Sequence, residues 1–155
     1  MKLEQQVVSL ELAKKIKSLG VRQGDWESES PLFYWSLYDG GASKDKPEII
    51  SCHEANFGFM EDLYAAFTVA ELESMLLKKE VRISVCQSGE NWSRKKVIWH
   101  QHDVFKKYVK EYEKESKTTA DAYAELLISL IKMGLIDPKN KKKSGKRSLM
   151  KSSPA

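Results

Sequence analysis

The chain has 155 residues, 41% of them hydrophobic and 31% charged, which is the length of one compact domain and the composition of a soluble one. No window approaches the roughly 20 uninterrupted apolar residues of a membrane-spanning helix. The start, MKLEQQVVSLELAKK, has acid and amide residues where a secretory signal is apolar, and two cysteines are too few for a disulfide framework. A cytoplasmic protein without membrane association is therefore expected, with Cys52 and Cys86 as reduced thiols on strands.

The net charge of +4 is unevenly spread. From Asp137 to Ala155 there are seven Lys or Arg against one acid, a net +6, so residues 1–136 carry a net −2. Beyond Pro138 the composition of Lys, Ser, Gly and Pro buries too little apolar surface to offset the entropy of ordering. The sequence thus divides into a single domain over 1–136 and a disordered, Lys-rich tail over 137–155.

In chain order, Leu12, Ile16 and Leu19 recur at helical spacing after Ser9, and Gly20 stands where a left-handed C-terminal cap belongs, predicting a helix over 10–19. LFYWSLY (32–38) suits a strand, DGGASKDKP reads as a long turn, and EIISC (48–52) returns as the partner strand. HEANFGFMEDLYAAF has no clean period. Thr68-Val-Ala-Glu71 is a capping box opening a helix over 69–78. VRISVCQ (81–87) alternates, with Val81, Ile83 and Val85 on one face, and pairs across SGENW with RKKVIWHQ (94–101) as a hairpin. In DVFKKYVKEYEKE (103–115), Val104, Tyr108 and Tyr112 fall at spacings of four, which predicts a third helix. A fourth is capped by Thr118 or Thr119, buries Ala122, Leu126, Leu127, Leu130 and Ile131, and ends at Gly134. About four antiparallel strands and about four helices, the helices mainly covering one sheet face, make an α+β fold.

Chemistry-bearing motifs are sparse. His100 and His102 share a face, and with Cys52, His53 and Cys86 they supply metal-binding residue types. Their spacing matches no standard metal motif, however, and alternation sends Cys52 and His53 to opposite faces, so no metal or cofactor is expected. There is no Gly-rich phosphate loop, no Gly-x-Ser-x-Gly elbow and no His-Glu-x-x-His. Glu61 and Asp62, adjacent in sequence, diverge on any regular element and make no acid/base pair. Cys86 with His100 is the one nucleophile and base combination that the hairpin offers. No catalytic residue is assigned, and a non-enzymatic protein is favoured.

The aromatic residues are more informative. Phe33, Tyr34 and Trp35 run consecutively, so a strand carries aromatic surface on both faces. Core packing explains part of this. The functional alternative is a groove lined by Tyr34 or Trp35, Trp92 and Trp99, where Arg94 and Lys95 engage an anionic or planar ligand. A second alternative places Lys139, Lys141, Lys142, Lys143, Lys146 and Arg147 of the tail on nucleic-acid phosphates, with Arg94, Lys95 and Lys96 assisting, which adds affinity without sequence readout. In a third, exposed aromatics form the interface of a homo-oligomer or assembly component.

Three segments in order, SLELAKKIKSLGVRQ followed by LFYW, then YAAFTVAELESML, then TTADAYAELLISLIKMGLI, together resemble a family of small uncharacterised proteins carried by bacteriophages and prophages, particularly of gut bacteria. The similarity covers roughly half of the chain. The sequence departs from the family pattern in the insertion GDWESES (24–30) and in the basic tail beyond Ile136. The resemblance implies a phage accessory protein made in the infected host cell. It supplies no catalytic residues to carry over. The expected function is a non-enzymatic binding protein that engages a host protein or a small ligand, with blunting of a host defence as one role.

Overall fold

A computed structural model describes residues 2–24, 31–39, 42–55, 61–77, 80–102 and 108–138. The elements in order are α1 (Leu3–Gln6), α2 (Leu10–Ser18), β1 (Phe33–Asp39), β2 (Ala42–Ser51), β3 (Leu63–Ala65), α3 (Val69–Leu76), β4 (Val81–Ser88), β5 (Arg94–His102), β6 (Tyr108–Ser116) and α4 (Thr119–Lys132). The class is α+β, with strands in two antiparallel three-stranded sheets ordered β2-β1-β3 and β4-β5-β6. Among the described residues there are thus six strands where about four were expected, in two sheets in place of one.

The starts of α3 and α4 form as the sequence dictates, whereas Ser9 makes no side-chain capping bond at the start of α2. The Thr68 hydroxyl accepts from the Glu71 amide while the Glu71 carboxylate accepts from the Thr68 amide, a complete capping box. Thr118 caps α4 by accepting from the Asp121 amide. Gly20 and Gly134 adopt φ of 89° and 76°, conformations that end α2 and α4 with little steric cost.

Helix α4 is the centre of the molecule. Eight of its 14 residues are buried, from Ala120 to Leu130, because it packs on β5 and β6 on one side and against α2 and α3 on others. Leu12 and Ile16 from α2, Leu72 and Leu76 from α3, Val97 and Trp99 from β5, and Tyr34 and Leu63 from the first sheet join it in one core.

The segment over 103–115 departs from expectation. Residues 108–116 form the strand β6, not a helix, and residues 103–107 lie outside the described residues. A spacing of four fits both the helical period and two strand steps, so the sequence pattern alone does not separate helix from strand here. Pairing decides between them. Strand β6 completes the ladder on β5, with Trp99 opposite Tyr112 and their rings 5.8 Å apart. Part of the expected turn, Ala42 to Pro47, extends β2, and the segment without a clear period supplies β3. The basic stretch from Lys139 to Arg147 lies outside the described residues.

Candidate functional site

The N-terminal segment is laid against the start of α3. Val7 bridges Thr68, the Val8 amide donates to the Phe67 carbonyl at 2.9 Å, and the Trp35 indole N–H donates to the Val8 carbonyl at 2.8 Å. One residue on, the Ser9 amide donates to Asp121 Oδ1 at 2.7 Å, which ties the start of α2 to the first turn of α4. Glu71 completes the frame: besides closing its capping box, its Oε1 accepts from the Leu32 amide at 2.9 Å, fixing the chain just before β1.

These ties bring the N-termini of α3 and α4 to one open cleft of about 770 Å³. Its apolar lining comes from Leu3, Phe33, Val69 and Ala70, and its polar groups from Gln5, Gln6, Lys95, Lys117 and threonines of the two caps. Among the described residues no carboxylate lines it. Lys95 and Lys117 make no ion pair among the described residues. Helix geometry leaves the N1 and N2 amides, here Val69 and Ala70 on α3, without intrahelical acceptors, and the positive ends of two macrodipoles add to the charge of the two lysines. The cleft therefore favours a ligand with an apolar body and an anionic group.

The five residues expected to line an aromatic groove are not brought together. Tyr34 is 1% exposed and its hydroxyl donates to the Gln23 carbonyl at 2.6 Å. Trp99 is 2% exposed, donating its indole N–H to the Leu76 carbonyl at 3.0 Å. Both are core residues. Trp35 is half-buried on the first sheet, whereas Trp92 stands 68% exposed at the tip of the β4–β5 hairpin. Alternation along β5 explains the rest: Arg94 emerges on the outer face and pairs with Glu115 at 3.3 Å, while Lys95 shares a face with Val97 and Trp99 and reaches the cleft. Of the residues considered for ligand contact, Lys95 lines the cleft, together with Phe33, the neighbour of Tyr34. The signal that was legible was the pair of capping threonines; that both caps open onto one space depends on the tertiary fold.

The hairpin register separates Cys86 from His100. Cys86 lies opposite Lys96 and His100 opposite Arg82, so the two are about 14 Å apart by strand geometry, too far for base and nucleophile. His100 Nε2 instead lies 3.1 Å from the Ser84 hydroxyl, on the outer sheet face and away from the cleft. Cys52 and His53 follow β2 in the other sheet. Among the described residues no group of three or more His, Cys, Asp or Glu is placed to hold a metal ion, and no helix is long and apolar enough to cross a membrane.

Compared with protein-family models, with curated proteins and with solved structures, the chain shows no match.

Proposed function

We propose that this protein is a non-enzymatic binding protein whose site is the cleft at the N-termini of α3 and α4, and that its ligand is a small molecule with an apolar body and a carboxylate or phosphate. The observation that carries this reading is the convergence of two helix N-termini and two lysines on a cavity of about 770 Å³, with no carboxylate among its described lining residues. Such a volume lies in the range typical of small-molecule sites, roughly 300–1,000 Å³. Among the described residues the lining offers no His, Cys, Asp or Glu for acid–base or covalent chemistry. The hydroxyls of Thr68 and Thr118 are already engaged as acceptors for their own helices. The resemblance to phage and prophage proteins supports an accessory role in an infected cell, with the ligand drawn from the host.

Isothermal titration with decanoate and with phenyl phosphate tests the reading. Saturable binding is expected, weakened roughly tenfold or more by Lys95→Glu or Lys117→Glu and falling as salt rises. Absence of binding to either probe, or binding indifferent to both charge reversals, contradicts it. Turnover of nucleotides or esters by the purified protein, abolished by one substitution in the cleft, would contradict the non-enzymatic part.

A further inference from the structure

Strand edges expose unpaired amides and carbonyls that invite another strand, and proteins usually guard them. Among the described residues, three of the four sheet edges carry such guards. On β2, Lys46 and Pro47 are exposed. On β3, Lys17 Nζ donates to the Leu63 carbonyl at 2.9 Å and Gln23 Oε1 accepts from the Ala65 amide at 2.8 Å, so the outward backbone groups are filled by side chains. On β6, Lys110, Glu111, Glu113, Lys114 and Glu115 are all exposed and the register shifts near its start. Strand β4 differs. It runs eight residues in unbroken register with β5, has no proline, and carries Arg82 as its one charge.

Its backbone is directed outward in a definite pattern. The His102 amide donates to the Glu80 carbonyl at 2.9 Å, one step beyond the Val81–Gln101 pair. By antiparallel alternation, Arg82, Ser84, Cys86 and Ser88 then bond to β5, and the amides and carbonyls of Val81, Ile83, Val85 and Gln87 face the open edge. Exposed apolar groups lie within the strand and flank it in sequence. Leu77 just before β4, Val85 within it and Trp92 just after it are 48%, 48% and 68% exposed, half of the exposed large hydrophobics among the described residues. Trp92 also has φ of 57°, in the left-handed region that bulky side chains rarely adopt.

We propose that β4 pairs antiparallel with β4 of a second copy about a two-fold axis through Val85, joining the two β4-β5-β6 sheets into one of six strands. Antiparallel two-fold pairing sets each Val85 against its partner and each Trp92 turn beside the partner's Leu77, so one symmetry operation covers all three exposed apolar groups. Within the strand Arg82 falls opposite Ser88 of the partner subunit, so no like charges meet there. Just beyond its ends the same register sets Glu80 opposite the partner's Glu90, both exposed, a repulsion that the apolar cover must offset. A foreign strand would cover Val85 but would need its own complements for Leu77 and Trp92; a second copy already has them. This dimer does not depend on the cleft reading.

Sedimentation equilibrium of the full chain tests it. The unmodified protein is expected to dimerise, and Val85→Lys, which sets a lysine against its own copy across the axis, is expected to weaken the dimer roughly tenfold or more without changing the circular dichroism spectrum. A second measurement stands if that variant fails to fold. The axis puts the two Cys86 Cα atoms on one face about 8 Å apart, so in a Cys52→Ser background a short bismaleimide should link two chains at low protein concentration. A monomer into the hundred-micromolar range, a dimer unaffected by Val85→Lys, or a dimer that resists Cys86 linkage overturns the proposal.

Discussion

Gln23 illustrates how single polar side chains hold the first sheet to the body. Only 9% exposed, it accepts from the Ala65 amide, donates to the Val21 carbonyl, and its own carbonyl receives the Tyr34 hydroxyl. Replacing it with leucine leaves the Ala65 amide buried without a partner, at a cost of about 1–3 kcal/mol. Urea denaturation should show that loss, and an unchanged midpoint would mean that water replaces the bond. Tyr123 ties stability to pH. Burial, with the nearby charge of Glu73 adding, pushes its hydroxyl from an ordinary 10.0 up to about 12. The folded state thus favours the neutral phenol, so this contribution is complete below pH 10 and is lost as the pH rises toward about 12. Denaturation midpoints across that window should fall less steeply for Tyr123→Phe than for the unmodified chain; parallel slopes would assign the alkaline loss to other groups. Lys17 is displaced the other way. Burial lowers its pKa, with the charges of Asp62 and Glu61 opposing, while its ammonium lies 4.7 Å from the centre of the Tyr64 ring.

Elements whose signals are local were legible, and those decided by pairing were not. The Thr68 capping box, the buried stripe of α4 and the β4–β5 hairpin each follow from short-range chemistry and formed as read. Strand β6 did not, because Tyr108 and Tyr112 satisfy two periods at once and only the open side of β5 selects one. For the same reason the aromatic residues do not form a groove: alternation along one strand sets only a side chain's face, while burial of Tyr34 and Trp99 is a property of the assembled core. The charge of Lys95 was recognised, but its side of β5 mattered as much. Glu71 joins two elements, since it closes its capping box and anchors the Leu32 amide. Thr68→Ala should therefore cost about 1 kcal/mol, and Glu71→Ala more than that, because it frees a second backbone donor. Equal losses in thermal or urea unfolding would show that the Leu32 bond adds nothing.

At the scale of the whole molecule, α4 is shared by everything that the fold positions. Its body packs β5, β6, α2 and α3, and its N-terminus faces the cleft beside that of α3. The core and the candidate site are thus joined through one helix. The charge pattern follows the same division. Residues 1–136 are slightly acidic, yet around the cleft Lys95 and Lys117 face no carboxylate among the described residues, so local placement matters beside net charge in setting what can bind. The most direct test is a two-dimensional amide NMR titration of the full chain with decanoate and phenyl phosphate. The account predicts saturable shifts centred on Val69, Ala70, Lys95 and Lys117–Thr119 that disappear in the Lys95→Glu variant. Shifts confined to the outer face of β4-β5-β6, or none at all, would contradict it.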